Sequence, residues 1–299
     1  MSILALPYLG EALSLITAVV WALAVILFKK SGESVHPIGL NSFKSFLATL
    51  LFIPTIWIFG ESLFYDAPRN EYMLLILSGA LGIGIADTLF FMCLNKLGAG
   101  LTAVIDCFYA PSMIVLSFIF LDESMSLIQI VGVVLIISAI LTATSKKASG
   151  HLTRKDTLLG VLYGFLAMVI MAVGVIMIKP ILNNQPFLWV TEWRLIGGVL
   201  VLIPIVLFHQ RRKLIINSVL NPHSKKVLFG GAFIGAYLSM MLWLGGMKYT
   251  QVSTAAALNQ TNNIFIFLFA AIILKEKMNS MKVIGISLGV IGAVLVTFG

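Results

Sequence analysis

The chain has 299 residues, of which 60% are hydrophobic and 11% are charged, and its mean hydropathy is +1.04. Soluble domains carry about 25% charged residues, so this composition excludes a soluble globular protein and predicts an integral membrane protein. A formal net charge of +8 would suit nucleic-acid binding. The basic residues lie in short connections between apolar runs, however, which is the pattern that orients membrane proteins, so we expect no nucleic-acid partner.

Ten segments of the chain are apolar over about the 20 residues that a membrane-spanning helix needs. They cover approximately residues 9–28, 37–59, 72–95, 100–120, 126–144, 157–178, 187–208, 227–247, 252–273 and 281–298. The sequence therefore predicts an all-α integral membrane protein with ten transmembrane helices. The connections between them are short apart from 145–156 and 209–226, so functional residues are expected among the helices.

The two halves of the chain resemble each other in order along their length. The matches occur at offsets of 150 to 153 residues: Lys44 with Arg194, Ile53-Pro54 with Ile203-Pro204, Gly79-Ala80 with Gly231-Ala232, Thr102-Ala103 with Thr254-Ala255, and Glu123 with Glu276. Each half holds five spans, an odd number, so the second half enters the membrane from the opposite side. This predicts a 5+5 inverted repeat, as in many secondary transporters. The predicted domains are residues 1–148 and 157–299, joined by a linker at 149–156.

Short motifs recur near the end of each half. They are Leu121-Asp122-Glu123 leading to Gly132, and Leu274-Lys275-Glu276 leading to Gly285. With a basic residue in the second helix of each half, Lys44 and Arg194, and with Pro111 in the fourth helix, the whole chain resembles the EamA type of the drug/metabolite transporter superfamily. Asn263 stands where the second half would repeat Pro111, which departs from the family pattern at the usual helix break. The resemblance implies a cavity between the repeats and transport without ATP.

Basic residues divide unevenly between the two faces of the predicted helix bundle. Apart from Lys44 and Arg194, fifteen of the eighteen basic residues follow odd-numbered predicted helices, and Arg69, Lys179 and Lys248 lie on the other face. The positive-inside rule therefore predicts a plasma-membrane or inner-membrane protein with both termini outside the cytoplasm. The resemblance implies the opposite orientation, because relatives usually keep both termini in the cytoplasm.

Three ionisable residues lie at similar depth below the more basic face. Lys44 lies roughly 10 Å inside the second predicted helix, and Asp87 and Asp106 lie roughly 10–14 Å inside on either side of the turn at 96–99. Ionisable groups at such depth cost about 2.5–3.5 kcal/mol each, so they usually mark a transport pathway or pair with one another. A structural salt bridge is the alternative interpretation. Because one lysine cannot neutralise two carboxylates, Asp87 and Asp106 are candidate proton-coupling residues.

A second polar group lies nearer the opposite face. Glu192 and Arg194 lie five to seven residues into the seventh predicted helix, and the ninth carries five consecutive polar residues at comparable depth, which include Asn259, Gln260, Asn262 and Asn263. Five consecutive positions cover every side of a helix, so some of these side chains must face a cavity or a neighbouring helix. Polar contacts that hold helices together are the alternative. We expect these residues to bind solute together with Lys44.

Several aromatic residues fall within the apolar runs, and Tyr109 and Trp243 are taken as candidate solute contacts. Met168, Met171 and Met177 make the sixth predicted helix rich in methionine, which is interpreted as ordinary apolar packing. The four histidines lie in or beside predicted connections without metal-ligand spacing. We therefore expect no metal, no cofactor and no catalytic residue.

These features favour a secondary transporter that moves a small polar organic metabolite, such as an amino acid or an amine, by alternating access and with possible coupling to protons. A phosphate-binding loop motif is absent, which argues against an ATP-driven pump. Two alternatives remain open. One is an intramembrane enzyme or lipid-handling protein, although the metalloprotease and hydrolase motifs are absent, so an enzyme is not expected. The other is a non-transporting receptor. The expected partners are the solute and the lipid bilayer, with the chain a monomer or a homodimer.

Overall fold

The computed structural model describes residues 8–121, 126–143, 153–249 and 258–298, which form helices and no strand. The prediction of an all-α chain is confirmed for these residues. In chain order the helices are α1 Leu9–Ser31, α2 Pro37–Ile58, α3 Arg69–Leu97, α4 Ala99–Asp106, α5 Tyr109–Leu121, α6 Leu127–Ala143, α7 Arg154–Asn184, α8 Phe187–Phe208, α9 Arg212–Leu220, α10 Lys225–Tyr249, α11 Asn262–Ile272 and α12 Ser280–Phe298.

Six of the described helices are long and apolar enough to cross a membrane, namely α1, α2, α3, α7, α8 and α10. The remaining predicted spans correspond to shorter apolar helices, α6, α11 and α12, and to the pair α4 and α5, which is interrupted between Asp106 and Tyr109. The length and the apolar composition of these helices identify the chain as a multi-pass membrane protein. The count of ten spans stays a prediction.

Helix starts follow local sequence signals. Pro37 begins α2, where the missing N–H of proline costs no hydrogen bond, and the Nδ1 atom of His36 accepts from the backbone N–H of Ile38 at 3.3 Å. Thr153 accepts from the N–H of Asp156 at 3.1 Å at the start of α7. Ser224 does the same for α10, accepting from the N–H of Val227 at 3.3 Å. Each of these side chains satisfies a backbone donor that the helix leaves free.

Corresponding helices of the two halves pack against one another. The helix α2 contacts α8, α4 contacts α11, and α6 contacts α12. In addition α1 packs against α10, and the equivalent helices α7 and α3 pack together in the same way. Each interface made by one half therefore has a counterpart made by the other, which is the packing expected of an internal repeat.

The helices α3 and α10 each contain a π-helical segment at equivalent positions, Ala80–Ala86 and Phe233–Leu238. Backbones come close beside the first of them: a Cβ atom added to Gly79 would collide with the carbonyl oxygen of Arg194 on α8, and one added to Gly197 would collide with the backbone of Ile76. Glycine is therefore needed where α3 and α8 touch. Segments of π-helix are frequent at functional sites, and both of these lie beside the central cavity described next.

Candidate functional site

A cavity of about 160 Å³ lies between the two halves. Both halves contribute to its wall, which runs along α1, α2, α3, α7, α8 and α10 and includes the end of α4, the start of α5 and residues 259–262. The polar side chains that line it are Thr17, Lys44, Asp87, Asp106, Tyr109, Arg194, Ser239, Asn259, Gln260 and Asn262. Pockets for drug-sized ligands usually measure about 300–1,000 Å³, so the volume suits a small solute.

The cavity lies closer to one face of the bundle than to the other. We call the basic face the one that carries residues 29–36, 96–98 and 209–224. Lys44, Phe90 and Asp106 line the cavity about two helical turns from that face. On the opposite side the lining reaches Met247, less than one turn from the end of α10. Among the described residues, the cavity therefore approaches the opposite face most closely.

Several polar contacts join the two halves at the basic face. The carboxylate of Glu276, just after α11, accepts from the backbone N–H groups of Ala99 and Gly100 at 2.8 and 3.1 Å, where α4 begins. Gly98 precedes them at a φ of +82°, a left-handed conformation that favours glycine. Lys96 also binds Asp156 at the start of α7, at 2.7 Å. These contacts join the α3–α4 turn to the second half.

The buried base of the first half is neutralised within the protein. The Nζ atom of Lys44 on α2 lies 2.6 Å from the Oδ2 atom of Asp87 on α3, and both residues are buried. Asn41, one turn before Lys44, donates to the carbonyl oxygens of Ile83 and Gly84 at 2.7 and 3.1 Å. This amide satisfies backbone acceptors of the π-helical segment and fixes α2 against α3. Both residues line the cavity, but their charges neutralise each other.

Asp106 ends α4 where the helix is interrupted, and its partners are amides rather than a base. With the Nδ2 atom of Asn263 facing the first half, that amide donates to the Oδ2 atom of Asp106 at 2.9 Å and to the carbonyl oxygen of Ala103 at 3.2 Å. Asn263 is fully buried and does not line the cavity. It therefore connects the interrupted helix of the first half with α11 of the second.

The segment that carries Asn263 stays helical. Residues 258–272 form one short apolar helix, and Thr261 within it is a turn with right-handed helical backbone angles, φ −64° and ψ −17°. This segment lies beside the interruption before Tyr109, because α4 packs against α11.

The buried base of the second half has a different environment. The Nε atom of Arg194 donates to the hydroxyl of Ser78 at 3.1 Å, and that hydroxyl donates to the carbonyl oxygen of Gly174 at 2.6 Å. Among the described residues, the Nη1 atom has no hydrogen-bond partner, and no carboxylate lies within salt-bridge distance of the guanidinium. The ring of Trp243 lies 6.0 Å from its Cζ atom. The side chain of Arg194 is therefore held through its Nε atom, whereas its Nη1 atom has no described partner at the cavity wall.

Two neutral groups on the same wall also lack partners. The hydroxyl of Tyr109 and both amide atoms of Asn259 are buried without a hydrogen-bond partner within the described part of the chain. Buried polar groups are nearly always hydrogen-bonded, so each exception needs an explanation. A solute in the cavity would supply the missing partners for all three residues.

The structure separates Glu192 from the cavity. Glu192 precedes Arg194 by two positions, which places the two side chains on nearly opposite sides of α8. It is fully buried, between Leu188 and Leu195 on the face of α8 that packs against α2, and it does not line the cavity. Neither carboxylate oxygen has a hydrogen-bond partner among the residues described. Nothing in its surroundings brings it to the candidate solute contacts.

Most of the remaining predicted site residues come together at the cavity. Lys44, Asp87, Asp106, Tyr109, Arg194, Trp243, Asn259, Gln260 and Asn262 line it, whereas Glu192 and Asn263 do not. Sequence reasoning missed the apolar part of the wall, which includes Ile83, Phe90, Met168, Met171, Met240 and Met247. Met168 and Met171 belong to the group interpreted as ordinary packing. No sequence signal distinguishes them from lipid-facing apolar residues, because their place on the wall follows from the packing of α7 against the first π-helical segment.

The described residues offer no obvious metal site. No group of three or more His, Cys, Asp or Glu side chains among them is placed to hold a metal ion. Cys93 and Cys107 are buried and unbonded to each other. The cavity is suited to binding a solute, because it presents the base of Arg194, several side-chain amides and the phenol of Tyr109 beside an apolar wall.

Comparison with known proteins identifies relatives over nearly the whole chain. The model of the EamA-like transporter family matches residues 8–145 and 158–298. An uncharacterised transporter of Archaeoglobus fulgidus is 22% identical over 274 residues, which cover 92% of each chain. A solved crystal structure of a protein matches with a TM-score of 0.69 at 15% identity, covering 97% of this chain and 96% of its own. At that identity the likeness establishes the fold.

Proposed function

Because the chain belongs to the EamA-like transporter family, we propose that it is a secondary transporter. It moves a small polar organic metabolite, such as an amino acid or an amine, by alternating access across the plasma or inner membrane. The observation that carries this proposal is the cavity between the halves, where Arg194, Tyr109 and Asn259 each present a buried polar group without a partner. A site with convergent unsatisfied groups and contributions from both halves suits a solute that is bound and then released.

The proposed transport cycle uses the internal repeat. Ten spans in two inverted halves would allow one half to tilt against the other around the central cavity, so that the cavity opens to each face in turn. The arrangement with Glu276 bound to the start of α4 then corresponds to closure at the basic face. From the uneven distribution of basic residues, we place the basic face in the cytoplasm and both termini outside it. The chain works as a monomer or a homodimer.

Of the two candidate proton-coupling residues, Asp106 fits the role better than Asp87. Asp87 is already paired with Lys44 at 2.6 Å. Asp106 lines the cavity and receives hydrogen bonds from amides without a base at salt-bridge distance in the described residues. A carboxylate that is exposed to each face in turn can exchange a proton with both, so Asp106 is the proposed coupling residue.

Counterflow tests the transporter proposal. Vesicles containing the purified protein are loaded with an unlabelled amino acid or amine and diluted into the labelled compound, and transient accumulation of label is the expected result. An imposed pH gradient should accelerate uptake by the wild type, and Asp106→Asn should remove that acceleration while exchange continues.

Each outcome has a distinct meaning. Absence of counterflow across a broad set of amino acids and amines would contradict the transporter. Counterflow that is indifferent to the gradient would contradict proton coupling alone. Asp66→Asn, which changes an exposed acid in the connection between α2 and α3, is the matched control and should behave as the wild type.

A further inference from the structure

We infer that Arg194 is the anchor for a carboxylate, and that the solute is a small monoanionic or zwitterionic carboxylate with an apolar body. This rests on the proposed function and assigns its substrate class. The side chain is 1% exposed, and its guanidinium has no acid within salt-bridge distance among the described residues. A buried cation without a counter-charge is costly in a membrane protein, and it usually marks a functional site. A carboxylate in the cavity removes this cost.

The position of Arg194 leaves the two Nη nitrogens of its guanidinium group available for hydrogen bonds. The Nε atom is bound to Ser78, which in turn is bound to Gly174, so the side chain is fixed from one side. A Cβ atom at Gly82 would lie 3.4 Å from Nη2, which shows that the guanidinium packs directly on the backbone of the π-helical segment. Guanidinium groups bind carboxylates through parallel hydrogen bonds from two nitrogens. With Nε bound to Ser78, the two Nη atoms are the hydrogen-bond donors that remain for two carboxylate oxygens.

The other charged groups on the wall are one base and two acids. Lys44 is neutralised by Asp87. Asp106 is bound by the neutral amide of Asn263, so it keeps its charge unless it carries the proton proposed for coupling. A phosphate group carries about −1.5 to −2 charges, so it would bring a second negative charge to a wall with one unpaired base. A carboxylate brings one charge, which Arg194 balances when Asp106 carries a proton. Tyr109 and Asn259 supply the neutral hydrogen-bonding groups beside it.

The apolar wall defines the other end of the solute. Four methionines, Met168, Met171, Met240 and Met247, line the cavity with Ile83 and Phe90. Methionine side chains are flexible and polarisable, and they adapt to apolar groups of different shapes. A solute that was polar throughout would leave this wall without complementary contacts. The lining therefore fits a carboxylate head with a compact hydrocarbon or thioether body rather than an amine or a sugar.

The test compares four compounds of one shape. Leucine carries a carboxylate and an ammonium group, 4-methylpentanoate carries the carboxylate alone, 3-methylbutylamine carries the ammonium alone, and 4-methylpentanamide carries neither. Binding to the purified full-length protein is measured as the rise in its thermal unfolding midpoint with ligand concentration. Straight-chain carboxylates from acetate to octanoate, each beside its amide, extend the comparison to other sizes.

The two carboxylates should bind at least about tenfold more tightly than the compounds that lack one, because hydrogen bonds to a charged group are lost with it. Arg194→Gln should remove that preference, and Arg194→Lys should retain part of it because the charge remains without the fork. Arg211→Gln, at an exposed arginine on the basic face, should leave the preference unchanged. If Arg194→Gln does not fold, the comparison of the four compounds on the wild type still tests the preference for a carboxylate.

Equal binding of carboxylates and amides, or no binding by any carboxylate in either series, would overturn the assignment. The two proposals fail separately. Counterflow of an amine without carboxylate binding would leave the transporter in place and remove the carboxylate anchor. Selective carboxylate binding without counterflow of any compound would retain the anchor and contradict transport.

Discussion

The two halves carry a buried base at equivalent positions, Lys44 on α2 and Arg194 on α8, but only in the first half do the described residues neutralise it. Lys44 lies 2.6 Å from Asp87, which directly follows the first π-helical segment. The residue that directly follows the second segment is Ser239, so the equivalent acid is missing and Arg194 is left for another partner. The two halves thus differ by one residue at this position, Asp87 in the first and Ser239 in the second. The base of the first half is held in an ion pair, and the base of the second half faces the cavity.

The largest expected effect comes from breaking the pair of the first half. Asp87→Asn leaves Lys44 as a buried and unpaired cation, which should reduce the free energy of unfolding by about 3–5 kcal/mol. Thermal unfolding of the purified protein measures the loss. Replacing both residues, Lys44→Met with Asp87→Leu, should recover much of the stability because no charge remains buried. An Asp87→Asn variant as stable as the wild type would show that the pair is not structural.

The comparison is sharpened by giving the second half the missing acid. Ser239→Asp places a carboxylate on the cavity wall one turn before Trp243, whose ring lies 6.0 Å from Arg194. This carboxylate should compete with the solute for the guanidinium and weaken carboxylate binding at least about tenfold, with folding retained. Ligand-induced shifts of the unfolding midpoint provide the measurement, and Ser239→Asn is the neutral control of similar size. Undiminished binding by the acidic variant would contradict the role of Arg194.

A smaller effect is expected at the contact between the halves on the basic face. Glu276→Gln replaces one acceptor oxygen with an NH₂ group that faces the N–H of Ala99 or Gly100, so one capping hydrogen bond is lost. The expected cost is about 1 kcal/mol. The variant should also admit water-soluble reagents to the cavity from the basic face more often than the wild type. Glu33→Gln, an exposed acid on the same face, should change neither property.

The smallest effect concerns the starts of α2 and α8. The imidazole of His36 caps α2, whereas Pro186 at the equivalent position gives α8 no side-chain cap. Burial, together with the neighbouring His209 and the charge of Arg211, lowers the pKa of His36. The unfolded chain therefore binds the proton more readily, and stability should fall as the pH decreases through the unfolded value of about 6.5.

His36→Asn tests this dependence, because asparagine keeps a capping oxygen but does not titrate. Unfolding midpoints between pH 8 and pH 5 should decrease less steeply in the variant than in the wild type. Identical profiles would show that His36 does not contribute to the pH dependence of folding.

The sequence predicted contacts correctly where the depth of a residue along its helix was enough to decide them. Lys44 and Asp87 were placed at one level by counting residues from the helix ends, and in the structure they are in direct contact. Depth could not distinguish the two sides of a helix. Glu192 and Arg194 lie in the first two turns of the same helix, but Arg194 reaches the cavity and Glu192 lies on the face that packs among apolar side chains between α8 and α2. The direction in which α8 faces depends on its contacts with α2 and α3, which the sequence does not specify.

Asn263 illustrates a second limit. Its position within five consecutive polar residues suggested a solute contact, but the structure places it between α4 and α11, where it donates to Asp106. That position results from the packing of α4 against α11, two elements more than 150 residues apart in the chain. The methionines of the wall were undervalued for a related reason, since apolar residues that line a cavity and those that face lipid have the same sequence pattern.

The central claim is that the cavity between the halves opens to each side of the membrane in turn, and access to Ser239 tests it most directly. Ser239 lines the cavity without a proposed role in binding, and the native Cys93 and Cys107 are buried. A Ser239→Cys variant in sealed vesicles is treated from each side with a small membrane-impermeant methanethiosulfonate, with and without bound carboxylate. The account predicts labelling from both sides and protection by the carboxylate on both. Labelling from one side alone under all conditions would contradict alternating access through this cavity.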